Sequence, residues 1–183
     1  YNRNNFRDIY SDKPRGITRK EYLNSLSEDE KPNINLIKYQ SAKAKKILRA
    51  FNNNYNEGKS EVNDELSAGI ATNMHYIFPE NEFEEISGYL ENLIALTPSQ
   101  HFQKAHPNNN TKYVDKGYQQ ICLLCKANNI EKNILYDSEK LYTFANFIYV
   151  LTIGFDNDKY EDVDENDFVE IVRMINMEYI QRN

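Results

Sequence analysis

Residues 71–83 read ATNMHYIFPENEF, and this stretch decides how the middle of the chain folds. Its first part is short, contains residues that favour β-structure, and stops before Pro79, which is poorly tolerated inside a strand. His75 and Tyr76 stand side by side just before that end. The stretch therefore predicts a short strand, and its last two polar residues are a catalytic pair, a damaged pair, or only a strand end.

The segments that follow predict a second strand and a helix. ENLIALTP, at 91–98, holds another short apolar run, and Pro98 suits the first position of a helix capped by Thr97. TPSQHFQKAHP then predicts one short helix that stops before Pro107. The predicted order over 66–107 is strand, long loop, strand and helix.

The rest of the chain carries apolar residues at helical intervals. This spacing occurs in TRKEYLNSL, NINLIKYQSAKAKKILRAFNNN, VDKGYQQICLLCKANNI, DSEKLYTFANFIYVLTIGF and DENDFVEIVRMINMEYIQ. The residues predicted to cap these helices are Thr18, Asp115, Asp137 or Ser138, and Asp164. Runs rich in asparagine and aspartate predict loops at 52–60, 107–112 and 156–167.

These patterns predict a mainly α protein with a small α+β element in the middle, organised as a single domain over 1–183. Its segments are an N-terminal helical part with a basic helix (1–60), the central element (66–107) and C-terminal helices (113–183). A chain of 183 residues can bury one core without disulfides. Cys122 and Cys125 are predicted to be core thiols, because two cysteines cannot complete a four-ligand zinc site.

The net charge of −6 argues against a protein that binds nucleic acid by bulk charge alone. Basic residues nevertheless cluster on one predicted helix, in KYQSAKAKKILRA, which contains no acidic residue. The cluster comprises Lys43, Lys45, Lys46 and Arg49. Since the other side of this helix is apolar, the basic side is either a solvated surface or a phosphate-binding face.

The chain has no apolar run long enough to span a membrane and no leader-like segment. We therefore expect a cytoplasmic protein without a membrane partner. The chain begins at Tyr1 rather than at methionine, which leaves open that it is a piece of a longer protein.

All three histidines of the chain lie in the central block, at His75, His101 and His106. Histidine is the commonest metal ligand and the usual base near neutral pH. A single histidine is more often a structural residue, so the grouping is the informative observation. Asn92, before the second strand, adds an amide that can both donate and accept hydrogen bonds.

Residues 73–106 resemble the HNH nuclease motif, the ββα-metal finger of many restriction, homing and bacterial-toxin nucleases. HYIFP matches its first strand and proline turn, ENLIALTP its asparagine before an apolar strand, and SQHFQKAHP its helix histidines. The nine-residue step from Asn92 to His101 also fits. The resemblance covers under a fifth of the chain.

The resemblance implies that His75, His101 and His106 hold one divalent metal ion, with Mg²⁺ expected first and Mn²⁺, Zn²⁺ or Ni²⁺ as alternatives. The five-residue offset from His101 to His106 is less regular than the usual one-turn spacing. Asn92 would brace the loop or orient the base. The helical body resembles bacterial type II restriction endonucleases, which implies double-stranded DNA as partner and a homodimer where the target is palindromic.

Tyr76 occupies the position of the histidine general base in HNH enzymes. An ordinary phenol has a pKa of about 10, so about one in a thousand is ionised at pH 7. Three interpretations follow. Tyr76 is a replacement base, or His75 acts as base while the metal lies elsewhere, or a parental histidine has been replaced by tyrosine and the nuclease activity is reduced.

Three functions remain open from the sequence. The first is a metal-dependent HNH endonuclease that hydrolyses phosphodiester bonds in DNA, as a type II restriction enzyme does. The second is an HNH-fold DNA-binding or toxin-like module that has lost turnover through Tyr76. The third is a helical protein-interaction domain with accidental histidines, which predicts that they bind no metal and that the chain has no affinity for DNA. Histidines that point away from one another in the structure would decide for this third function.

Overall fold

The computed structural model describes residues 6–181, and within them the protein is mainly α-helical with one small antiparallel sheet. Tyr1 lies outside the described residues. The strands are β1 (Asn73–Tyr76) and β2 (Leu93–Leu96). The helices are α1 (Phe6–Ser11), α2 (Arg19–Ser25), α3 (Ile34–Tyr55), α4 (Pro98–Gln100, continued by a π-helical turn over His101–Ala105), α5 (Lys116–Leu135), α6 (Phe144–Phe155) and α7 (Phe168–Gln181). The predicted helical class and the order strand, loop, strand, helix are confirmed.

The two-stranded sheet lies inside the helical body. Every residue of β2 is fully buried, and His75 pairs with Ile94 across the antiparallel ladder. A lone pair of strands is marginally stable in water, so the sheet depends on the helices packed against it. Helix α3 contacts both strands and thereby fixes one side of the sheet.

The core is shared between the sheet and the long helices. Its fully buried members include Leu48, Ile94, Leu123, Phe147 and Ile171, which come from β2 and from helices α3, α5, α6 and α7. Cys122 is buried and Cys125 packs against the core as free thiols, as predicted. No helix in the range 6–181 is long and apolar enough to cross a membrane.

Several helix starts follow local capping rules. Thr18, Thr97 and Asp115 each accept a hydrogen bond from a backbone N–H in the first turn, which confirms three predicted caps. The last helix begins at Phe168 instead of near Asp164. The carboxylate of Asp167 accepts the Glu170 N–H there, so Asp167, and not the predicted Asp164, caps this helix.

The predicted start of α6 at Asp137 or Ser138 is wrong, because the helix begins at Phe144 and is capped by Thr143. The segment between α5 and α6 instead provides hydrogen bonds to the C-terminal end of α5. The Lys140 ammonium donates to the carbonyls of Asn133, Ile134 and Asp137, and the Asn133 side chain accepts the N–H groups of Leu141 and Tyr142. These contacts hold the segment in a non-helical form that bends at Ser138 and Glu139.

The predicted loop at 52–60 is wrong in its first part, since α3 continues to Tyr55. Asn52 is buried in the last turns of the helix, where its amide donates to the Lys59 carbonyl. The predicted loops at 107–112 and 156–167 contain only short 3₁₀ turns, at Pro107–Asn109 and Asp158–Asp162.

Candidate metal centre

The end of β1 sends its last two side chains to opposite sides of the sheet, as successive residues of a strand do. His75 is buried, with 4% of its surface exposed, and faces the histidines of the α4 segment. Tyr76 faces α3, where its hydroxyl meets Ser41. Adjacent residues in the sequence therefore take part in different environments.

A π-helical turn brings His101 and His106 to the same side of the α4 segment. Thr97 and Gln100 form a capping box at the start, and the His106 N–H donates to the His101 carbonyl at 3.0 Å. In a regular α-helix, residues five apart would be rotated by about 140° from each other. The π turn removes this rotation, and the two ring centroids lie 4.7 Å apart.

The three histidines converge. One ligand nitrogen from each of His75, His101 and His106 lies within 4.8 Å of the others, and the His75 ring centroid is 5.3 and 5.0 Å from the other two. Around tetrahedral zinc, with Zn–N distances of about 2.0–2.1 Å, ligand nitrogens are about 3.4 Å apart. Closure by at most about 1.4 Å would reach that geometry. The histidines do not point away from one another, which is the arrangement that would have decided for an interaction domain.

The electrostatics keep the rings of His75 and His101 neutral. Burial, and then the charges of His101, His106 and Lys45, hold the pKa of His75 well below its ordinary value. Burial together with His106 and Lys45 lowers the pKa of His101 to about 4. A neutral imidazole offers the lone pair that a metal ion needs, so His75 and His101 are in their ligating form at neutral pH.

Hydrogen bonding selects the ligand atom of His106. Its Nδ1 lies 2.7 Å from the Tyr113 carbonyl oxygen, which can only accept, so Nδ1 carries the proton and Nε2 keeps its lone pair. Nδ1 of His101 is buried and has no hydrogen-bond partner within the described part of the chain. An unsatisfied, buried ring nitrogen beside two further imidazoles fits a bound cation.

Asn92 closes the loop between the strands. Its side-chain oxygen accepts the Phe78 N–H at 2.9 Å, its amide donates to the Phe78 carbonyl at 3.0 Å, and the Ile77 N–H donates to its backbone carbonyl at 2.9 Å. The side chain is fully buried. Of the two expected roles, these contacts correspond to bracing the loop.

Tyr76 is held as a neutral phenol. Ser41 donates its only hydroxyl proton to the Glu80 carboxylate at 2.9 Å, so the phenol donates to the Ser41 oxygen. Burial, followed by the charge of Glu80, raises the pKa of Tyr76 to about 12 although the Ser41 contact lowers it. Ser41 and Glu80 were not identified from the sequence; the available signal was that Ser41 lies one helical turn before Lys45.

The structure divides the predicted basic cluster. Lys45 places its ammonium 4.1 Å from the Tyr76 ring centroid, and Arg49, one turn later, donates to the Thr72 carbonyl at 3.3 Å beside β1. Lys43 lies on another face of α3 and lines a groove with Phe6, whereas Lys46 is exposed. The charge of Lys45 helps to lower the pKa values of His75 and His101, so this member of the cluster is coupled to the histidines.

Comparison with known proteins leaves the site to be interpreted from its own geometry. No protein-family model, no curated protein and no solved structure matches the chain. The features that bear on function are the convergence of the three histidines, the hydrogen bond from His106 Nδ1 to the Tyr113 carbonyl, and the nearby Lys45.

Proposed function

We propose that this chain is a metal-dependent nuclease of the ββα-metal (HNH) type that hydrolyses phosphodiester bonds in DNA. The observation that carries the proposal is the convergence of His75, His101 and His106 to within 4.8 Å at a strand end and on the helix that follows. The π turn supports it, because such turns are frequent at functional sites.

The donor set favours a particular kind of metal. Three neutral imidazoles suit Zn²⁺ or Ni²⁺, whereas Mg²⁺ prefers carboxylate oxygens and water. We therefore propose Zn²⁺ or a similar transition metal, and the expectation of Mg²⁺ stays a prediction. When bound, such an ion supplies Lewis-acid stabilisation of the charge that develops on phosphoryl oxygens during hydrolysis.

The protein's own residues have separable tasks in this proposal. His75, His101 and His106 hold the ion, and the Tyr113 carbonyl fixes the ring of His106. Lys45 is half-buried beside the cluster and binds a phosphate oxygen of the substrate. Its four-carbon chain and ammonium allow it to follow the phosphate as charge develops.

The role of Tyr76 separates two candidate functions. Its phenol proton is engaged by Ser41, and this arrangement supports a hydrogen-bonding rather than a proton-abstracting residue. Loss of a general base typically costs about 10² to 10⁴ in rate. The first candidate is therefore a slow nuclease, and the second, favoured by the same contact, is an HNH-fold DNA-binding module without turnover.

The narrower predictions of a type II restriction enzyme, double-stranded DNA as the substrate, a homodimer and a cytoplasmic location stay predictions. They rest on the resemblance or on the absence of sequence signals. The proposal above needs only the metal centre and Lys45.

Plasmid digestion tests the proposal. The protein as given, Tyr76→His and Tyr76→Phe are compared with Zn²⁺, Ni²⁺, Mn²⁺, Mg²⁺ or EDTA, with His101→Ala as the ligand-deficient control. We expect metal-dependent cleavage that His101→Ala abolishes, little change with Tyr76→Phe, and an increase of about 10²-fold or more with Tyr76→His.

The outcomes separate the candidates. Cleavage by the protein as given that Tyr76→Phe abolishes would make tyrosine the working base. Cleavage by Tyr76→His alone, with DNA bound by the protein as given, would support the inactive DNA-binding module. Absence of cleavage and of DNA binding in every version, despite bound metal, would refute the nuclease proposal.

A further inference from the structure

Two partly exposed aromatic residues contact histidines of the candidate metal centre. Phe102 follows His101 in the π turn, its ring meets the His101 ring edge-on with centroids 4.7 Å apart, and 39% of its surface is exposed. Tyr113, whose carbonyl accepts from His106, is 51% exposed. Neither ring belongs to the apolar core. Phe102 thus contacts a histidine through its ring and Tyr113 through its backbone carbonyl, and both side chains are open to solvent in part.

The loop that carries Tyr113 is fixed at its base. The Asp115 N–H donates to the Ala105 carbonyl at 3.1 Å, and the His106 ring bonds the Tyr113 carbonyl. Within the loop, the Tyr113 N–H donates to the Asn110 carbonyl at 2.9 Å. A ring on such a closed loop is positioned before any ligand arrives, which lowers the entropic cost of binding.

Two of the lysines near the histidines are paired or half-buried. Lys104, on the same segment, is paired with Glu65 at 2.5 Å, Lys45 is half-buried, and the whole chain has a net charge of −6. Tight binding of duplex DNA draws mainly on many phosphate contacts. Exposed aromatic rings provide another source of affinity, since any unpaired base can stack on them.

We infer that Phe102 and Tyr113 form a base-stacking platform and that the preferred substrate is an unpaired strand of DNA. In a duplex, the faces of the bases are covered by their neighbours, whereas in a single strand they are free to stack on a protein ring. The catalytic part of this inference rests on the proposed nuclease function. The binding part does not, and it can be measured in EDTA.

A single tryptophan reports on stacking. The chain contains no tryptophan, so Phe102→Trp introduces the only one. It is titrated with a single-stranded DNA of about 12 nucleotides and with the same sequence as a duplex. We expect fluorescence quenching by the single strand at concentrations at least tenfold below those needed for the duplex.

Alanine variants test both rings by fluorescence anisotropy of the labelled single strand. We expect Phe102→Ala and Tyr113→Ala each to weaken binding about 5- to 100-fold. Phe102→Leu keeps an apolar side chain but removes the aromatic face, and should weaken binding similarly. Tyr136→Ala is the matched control, because Tyr136 is 79% exposed and follows the distant end of α5. Circular dichroism melts verify folding.

The failures of the two proposals differ. Equal affinity for single strand and duplex, or no loss with both alanine variants when they remain folded, would refute the stacking platform even if metal-dependent cleavage occurs. Quenching and selective single-strand binding without cleavage would support the platform while the nuclease proposal fails.

Discussion

A lysine buried beneath the sheet allows a sharp test of what holds β2 in place. The Lys126 side chain has no exposed surface, and that of Glu61 is only 7% exposed. The Lys126 ammonium donates to Glu61 at 2.6 Å and to the Tyr142 hydroxyl at 3.0 Å. The other Glu61 oxygen accepts the Ala95 N–H of β2 at 2.6 Å. This pair therefore connects α5 with the strand that lies against His75.

Lys126→Met tests this connection by removing the cation while keeping most of the side-chain volume. Burial opposes the charged form of Lys126, yet Glu61 and Tyr142 hold its pKa above the ordinary value, so the lysine is charged at neutral pH. Its removal leaves the Glu61 carboxylate buried with only neutral donors. Breaking a buried pair in this way costs about 3–5 kcal/mol.

Urea denaturation followed by circular dichroism measures the effect. With a urea dependence of about 2 kcal/mol/M, we expect the midpoint to fall by about 1.5–2.5 M. The double variant Lys126→Met with Glu61→Gln should recover part of this loss, because it leaves no unpaired charge. A loss under about 1 kcal/mol, or losses of the single variants that simply add, would refute the assignment of a coupled ion pair.

Three further predictions concern metal, pH and packing. Zn²⁺ at about 100 times its Kd should stabilise the protein by about 2.7 kcal/mol, raising the Tm by about 5–10 °C in a thermal melt, and an unchanged rise in His106→Ala would contradict its role as a ligand. Burial raises the pKa of Glu91 above 4.5, so the folded state holds this proton more strongly than the unfolded state, and the free energy of unfolding falls as pH rises above 4.5. Glu91→Gln should therefore flatten this part of the pH profile of stability, measured by urea titrations. An unaltered slope would count against the raised pKa. Gly154→Ala should destabilise by about 1–3 kcal/mol in the same assay, because the added methyl group would overlap the Phe78 ring, and a neutral result would show that the ring moves freely.

Local signals in the sequence predicted the parts of the fold that depend on neighbouring residues. The cap at Thr97, with Pro98 after it, involves atoms only three residues apart, and the structure has both as expected. Judged from the local sequence alone, Asp137 and Ser138 are as suitable for a helix cap as Thr143, so the sequence does not indicate that α6 begins only at Phe144. Their segment is taken up by contacts of Lys140 with the end of α5, which no local pattern reveals.

The candidate site also combines features that the sequence predicts with features that depend on tertiary contacts. The sequence grouped the three histidines, and the structure brings them together. The sequence could not show that the Tyr76 hydroxyl is hydrogen-bonded to Ser41, because Ser41 lies 35 residues earlier on another element. Nor could it select Lys45 from its basic neighbours, because the packing of α3 against β1 decides which side of the helix meets the site.

The π turn over His101–Ala105 matters for how related sites are recognised. It adds one residue to the turn, and the histidines at its two ends, His101 and His106, still lie on the same side. A sequence pattern that requires three residues between the helix histidines would pass over this arrangement, whereas one that also accepts four, followed by a proline such as Pro107, would detect it. Searches for such sites in other genomes should therefore treat the spacing as variable and the capped helix start as the constant element.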